Sequence, residues 1–189
     1  MTRTPPEPAP AMKRGHARRA NLPWFWPANP FEIVLVEPEI PPNTGNIARL
    51  CAATGTRLHL VEPLGFRIDD AALRRAGLDY WDAVDLHVHS SFDAFLRDAA
   101  PRRLLLFSTR GTLRYTDAKY EPGDALVFGR ESRGLPDALL DAHPGRVLGI
   151  PIREGRVRSL NLSSAAAIAL YEALRQANAP ARIRKSPRD

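Results

Sequence analysis

The chain predicts an α/β fold: a mostly parallel sheet with helices on both faces. Three observations carry this. Short, largely apolar runs recur at Ile33–Val36, Arg57–Val61, Leu104–Ser108, Ala125–Phe128 and Val147–Ile152. Helix-favouring stretches lie between them, and strands that alternate with helices build parallel sheets. The first two runs and the stretch between them fit a complete βαβ unit of about 30 residues.

The elements follow in order. Residues 1–30 are rich in Pro, Ala and Arg, show no usable periodicity and read as a mostly disordered extension. Leu22, Trp24, Phe25 and Trp26 interrupt it, either to dock on the folded domain or to stack on bases. The folded domain spans 31–178 and opens with a strand at Ile33–Val36. Pro38, Pro41 and Pro42 then argue for a stiff loop, with Asn43 as helix cap and a helix over Thr44–Thr54 that puts Ile47, Leu50 and Cys51 on one face. Gly55 suits the residue just past its end. Arg57–Val61 is the second strand. Asp69–Arg75 reads as a short helix broken at Gly77, and Val84–Val88 as a strand. His87 and His89 lie on that strand without Cys or carboxylate at ligand spacing, so they read as plain strand residues and not as a metal site. Ser91 caps a helix through Leu96, and Leu104–Ser108 and Ala125–Phe128 are buried strands. The loop 130–136 leads into a short helix to Asp141. Val147–Ile152 is the last apolar run. After a polar loop with Arg153, Arg156 and Arg158, either Ser159 or Asn161 caps the last helix, and residues 179–189 form a tail.

With 189 residues, 44% hydrophobic and 25% charged, the chain has the size and balance of one soluble domain. Its single cysteine, Cys51, excludes an internal disulfide, reads as core within a helix and fits a reducing cytoplasmic compartment. No apolar run approaches the roughly 20 residues needed to span a bilayer, and the N-terminus has no signal-peptide core. The net charge of +6 is unevenly placed. Residues 1–30 carry five basic side chains against one acidic, and residues 180–189 carry four against one. The 149 residues between hold 18 basic and 19 acidic. Basic tails either engage nucleic-acid phosphates or act as solubilising extensions.

In a parallel sheet, ligands bind at the carboxyl ends of the strands. Four loops leave such ends: 38–46, 108–112, 129–136 and 151–161. Several common sites are excluded. There is no G-x-G-x-x-G and no G-x-S-x-G, and Leu135-Pro136 stands where a P-loop spacing at Gly129–Gly134 would require Lys-Ser/Thr. Positioning chemistry remains. Arg49 suits a phosphate or hydroxyl contact, or a surface ion pair. Glu131 and Arg133 either bracket a substrate or pair with each other. Asn161 either orients a hydroxyl or only caps the helix.

Five stretches carry a resemblance: VLVEPEIPPNTGNIARLCAATG at 34–55, EPLGF at 62–66, LRRAGLDY at 73–80, LVFGRESRGLP at 126–136 and IPIREGRVRSLNLSSAAAIALYEALRQ at 150–176. In order and spacing they resemble the SPOUT class of S-adenosylmethionine-dependent RNA methyltransferases, and within it the small bacterial tRNA (cytidine/uridine-34) 2′-O-methyltransferases. The likeness covers roughly 31–177 and leaves the first 30 residues outside.

The resemblance implies a C-terminal trefoil knot, which nothing in periodicity or spacing indicates. It implies S-adenosylmethionine as cofactor, held by Phe107, Gly129, Ile150, Ser159 and Leu160. Methyl transfer would go to a tRNA ribose 2′-hydroxyl, with no metal. Arg49 would act in catalysis, helped by Asn161 and more weakly by Tyr171. Since a guanidinium is very hard to deprotonate, orienting the hydroxyl suits Arg49 better than acting as base. Arg110, Arg133 and Arg153 would contact phosphates. A homodimer is implied, and the small residues Ser164, Ala165 and Ala169 would permit close helix packing. Two alternatives stay open at this point: the same chemistry at another tRNA or rRNA position, and a noncatalytic RNA-binding protein with a relic cofactor pocket.

Overall fold

The computed structural model describes residues 23–68 and 83–178. The expected helix at 69–75, the break at Gly77, the motif at 73–80 and most of both tails lie outside these residues. Seven strands form one sheet: β1 (Glu32–Val36), β2 (Arg57–Val61), β3 (Leu86–His89), β4 (Arg103–Phe107), β5 (Leu113–Arg114), β6 (Asp124–Phe128) and β7 (Val147–Gly149). Every pairing is parallel, in the order β3-β2-β1-β6-β4-β7-β5.

Central strands are apolar on both faces because both faces are covered. Ile33 and Leu35 point to one side of β1, towards helices α1 (Pro41–Thr54) and α4 (Leu162–Asn178). Val34 and Val36 point to the other, towards α2 (Phe92–Ala99) and α3 (Asp137–Asp141). Ala166, Ala169 and Ala173 are fully buried in the core, whereas of the small residues singled out for close packing Ser164 is exposed and Ala165 half-buried. Among the described residues no helix is long and apolar enough to cross a membrane.

Several local expectations hold. Gly55 closes α1 in the left-handed conformation at φ 67°. The Ser91 hydroxyl accepts from the Ala94 amide at 3.1 Å and caps α2. Cys51 is buried, and burial pushes its thiol well up, so it is core and not a nucleophile.

Two expectations are corrected. Pro41 and Pro42 do not precede α1; they are its first residues, and Ile40 is the cap. Proline is well suited there, because the first helical N–H groups have no intrahelical partner and φ is already set. Asn43 therefore lies inside the first turn, which frees its side chain for other work. The third strand, expected at Val84–Val88, starts two residues later and ends one residue later, at Leu86–His89. The two-residue strand β5 gave no periodic signal and was not expected.

β5 follows β4 in the chain, yet β7 lies between them in the sheet. The connection 108–112 must therefore pass over β7. A Cβ on Gly111 would lie 2.3 Å from both the Leu148 carbonyl carbon and the Gly149 nitrogen, so only glycine fits that crossing.

Candidate active site

The chain lays down β1, β2 and β3 to one side, then places β6, β4, β7 and β5 on the other. The order reverses between β1 and β6, and the loops after these strands diverge there. Such a switch point is where open α/β sheets hold ligands.

Glu131, in the loop after β6, reaches across to the loop after β1. Its carboxylate accepts from the Glu39 amide at 2.8 Å, the Ile40 amide at 3.3 Å and Asn43 Nδ2 at 3.0 Å. These groups sit at the N-terminus of α1, where a negative charge is favoured by orphan N–H groups and the helix dipole. The Glu39 carboxylate returns the contact, accepting from the Ser132 amide at 2.9 Å and the Ser132 hydroxyl at 2.8 Å, and these bonds hold its carboxyl below the usual carboxylate range.

Asn43 extends the chain of bonds to the last helix. Its Oδ1 accepts from Asn161 Nδ2 at 2.8 Å. Asn161 Oδ1 accepts from the Ser163 amide at 2.9 Å, the Ser163 hydroxyl at 2.7 Å and the Ser164 amide at 3.4 Å. Asn161 thus caps α4, and of the two capping candidates it is the one that does so. The start of α1, the loop 130–132 and the start of α4 are tied into one frame by Glu131, Asn43 and Asn161.

Beside this frame lies a cavity of about 470 Å³. Its size is that of a small-molecule site. Apolar walls come from Phe107, Phe128, Leu148, Ile150 and Leu160. Phe107 and Phe128 stack at 4.8 Å with a 16° interplanar angle. Gly129 shapes the floor: a Cβ there would lie 2.1 Å from the Gly134 carbonyl carbon and 2.2 Å from the Leu135 nitrogen. The backbone that approaches Gly129 is the protein's own loop, folded back through the Arg130–Gly134 bridge.

The cavity gathers most of the residues singled out in the sequence. Phe107, Gly129, Ile150, Ser159, Leu160, Asn161, Arg110 and Arg133 all line it. Arg110 is ion-paired with Asp137 at the rim. Arg49 and Arg153 are exposed and lie outside the lining. Exposure outside the lining suits Arg49 to either a phosphate contact or a surface ion pair. Six residues of helix turn it about 240° from Asn43, which does line the cavity. Sequence reasoning gave Asn43 only a capping role and did not single out Arg130, which is ion-paired with Glu37. The signal was available in a loop residue and a first-turn residue that need partners, but their partners lie about 90 and 118 positions away in the chain.

A family model described as SpoU rRNA Methylase matches residues 30–171. A tRNA (cytidine(34)-2'-O)-methyltransferase of Burkholderia pseudomallei (strain 1106a) is 55% identical over 150 residues, covering 78% of this chain and 96% of the relative. A solved structure concerned with the 2-OH methylation of C/U34 on tRNA is 49% identical, with a TM-score of 0.73, and covers 79% of this chain and 97% of its own. A solved AdoMet-bound rRNA methyltransferase from Sinorhizobium meliloti is 26% identical, with a TM-score of 0.68, over 77% of this chain and 56% of that one.

Proposed function

Because the chain belongs to the SpoU rRNA Methylase family, we propose that its cavity holds S-adenosylmethionine and that it methylates the ribose 2′-hydroxyl of the wobble nucleotide of tRNA. The observation that carries this reading is the Glu131–Asn43–Asn161 frame beside the cavity. The identities above, near half over almost the whole length of the tRNA-modifying relatives, support the substrate.

The residues fit the cofactor. The volume suits a nucleoside carrying an aliphatic arm, and the apolar walls suit an adenine ring. When bound, S-adenosylmethionine supplies a methyl group activated on a sulfonium. The chain does the rest. Ile150, Leu160 and the stacked Phe107–Phe128 pair wall in the base and exclude water. Ser159 and Asn161 hold the polar end beside the N-terminus of α4. The rigid frame fixes the distance between this end and the mouth, so an entering 2′-hydroxyl meets the methyl in line. Arg133 and Arg158 line the mouth and receive phosphate there. Arg49 stands outside, so in this reading it grips the RNA backbone next to the reacting ribose and steadies charge as the hydroxyl proton leaves.

Three further parts belong to the reading. Passage of 108–112 over β7 supports a threaded, knotted C-terminal part. Ile168 and Tyr171, exposed on the outer face of α4, support a homodimer packed there. The reaction takes place in the cytoplasm, with its tRNA.

The test is transfer of labelled methyl to total tRNA that lacks this modification, followed by mapping of the product nucleosides. The expected result is a 2′-O-methylated nucleoside at position 34. In Arg49→Ala the fold and cofactor affinity are kept while methyl transfer falls at least tenfold. Label only at another position overturns the target, and full activity of Arg49→Ala overturns its role.

A further inference from the structure

The segment before β1 is pinned to the domain at two points. The Phe25 amide donates to Asn178 Oδ1 at 2.6 Å, and Asn178 Nδ2 donates back to the Phe25 carbonyl at 3.0 Å. The same Nδ2 reaches the Leu174 carbonyl at 2.8 Å, so the clamp is set in the last turn of α4. Further along, Asn29 lies so close to Gly123 that a Cβ there would come within 2.3 Å of its Nδ2.

The clamp uses only the backbone of Phe25. The side chains face water: Trp24 is 39% exposed, Phe25 58% and Trp26 48%. The two indoles lie 6.2 Å apart at a 50° tilt, splayed enough to leave ring faces open. Three neighbouring aromatic rings held in water are unfavourable unless something covers them.

The clamp also fixes where the two basic segments leave the domain. Residues 1–22, with Arg3, Lys13, Arg14, Arg18 and Arg19 against Glu7, join the domain beside the rings. Residues 179–189, with Arg182, Arg184, Lys185 and Arg188 against Asp189, begin directly after Asn178. The two segments, with nine basic side chains between them, thus join the described chain on either side of this clamp. Exposed aromatic faces at the point where two basic segments join the domain fit single-stranded or looped RNA, where bases stack and phosphates pair with Arg and Lys. A second copy of the chain fits poorly, since it would bring like-charged tails together.

We propose that Trp24, Phe25 and Trp26 form a base-stacking platform at the shared root of the two basic tails, an RNA contact separate from the cofactor cavity. The proposal rests on the tRNA reading above. Helix α4 separates the two places: Asn161 caps one end at the cavity and Asn178 holds the clamp at the other, roughly 25 Å apart. A folded RNA spans that distance and a nucleoside does not.

The experiment compares the full-length wild-type chain with Trp24→Ala/Phe25→Ala/Trp26→Ala, which keeps the backbone clamp. The readouts are tRNA affinity by fluorescence anisotropy, kcat and KM for tRNA, cofactor affinity and oligomeric state. The expected result is a tRNA KM and Kd raised about fivefold or more, with kcat and cofactor affinity unchanged. In Arg182→Gln/Arg184→Gln/Lys185→Gln the slope of log affinity against log salt falls by about two to three. Unchanged tRNA affinity and salt slope overturn the platform. So does a loss that follows a change of oligomeric state, or binding to anionic vesicles with no effect on tRNA. If the wild-type chain transfers no methyl to tRNA, the functional reading fails, and the binding titrations still decide the platform.

Discussion

Two polar clusters sit at different places on the same sheet, and only one of them has the makings of a site. The first is the Glu131–Asn43–Asn161 frame at the β1/β6 switch point. The second lies towards the β3 edge, under α2. There His59 Nδ1 and His89 Nε2 are 3.0 Å apart, and both rings meet Phe95 edge-on. Glu32 is buried beside them, 3.8 Å from His59 Nε2, and pairs with Arg57 at 3.3 Å. Asp98 lies 3.4 Å from His89 Nδ1, while Asp85 bonds the neighbouring His87 at 2.8 Å.

By residue type the histidine cluster looks the more chemical of the two. Yet burial pushes the His59 imidazole down from 6.5 to about 3, with His87, His89 and Arg57 adding to the effect. Burial also raises the Glu32 carboxyl, against the pull of Arg57. Both groups are therefore driven towards their neutral forms. Among the described residues no group of three His, Cys, Asp or Glu is arranged to hold a metal. The frame at the switch point differs in being open: its polar atoms are tied to backbone and to each other beside a 470 Å³ cavity. Reactive residue types mark a site less well than geometry that an arriving molecule can reach.

This contrast can be broken or sharpened by experiment. The largest effect belongs to Gly129→Ala. Its Cβ would collide with loop backbone at 2.1 Å, and the displaced cavity floor should cost more than about 100-fold in methyl transfer, with cofactor binding lost in calorimetry. Next is Glu131→Ala, which leaves the start of α1 without its carboxylate. We expect about a 10- to 100-fold loss of activity and a stability loss of about 1–3 kcal/mol, read by denaturant titration. A loss of stability with full activity would reduce the frame to scaffolding.

The histidine cluster should answer to acid and not to substrate. Below pH 6.5 the unfolded chain protonates His59 and the folded chain does not. Its contribution is thus present above pH 6.5 and is lost as pH falls towards 3, at about 1.4 kcal/mol per pH unit while one extra proton is taken up. The raised Glu32 carboxyl acts in the opposite sense and offsets part of this. In His59→Leu the acid slope flattens and methyl transfer at neutral pH is kept; a large activity loss would make the cluster part of the site. The smallest effect is Arg153→Ala, an exposed side chain outside the cavity. It should leave the melting temperature unchanged and raise the tRNA KM by about two- to fivefold, if it contacts a phosphate.

The sequence made the strands legible because fully buried parallel strands are apolar on both faces, as in Ile33–Val36 and Ala125–Phe128. It made Gly55 and Ser91 legible because caps are local chemistry. It did not show that β7 enters between β4 and β5, since pairing order leaves no trace in periodicity. Asn43 was misread for a related reason: a helix start can be guessed from nearby prolines, but a side chain's partner 118 positions away cannot. Cavity residues came into view through whole motifs compared with a family. Arg49 and Arg153 lie outside the cavity because a motif carries residue identity and not orientation.

The position of β7 has a consequence for biosynthesis. β1, β2, β3, β4 and β6 are all present once residue 128 has left the ribosome. The cavity is not, because Leu148, Ile150, Ser159, Leu160 and Asn161 are still to be made. A nascent chain therefore carries most of its sheet before it has any place for a cofactor. Binding competence is acquired only once residue 161 has been made, and a chain terminated before that point would lack the cavity walls.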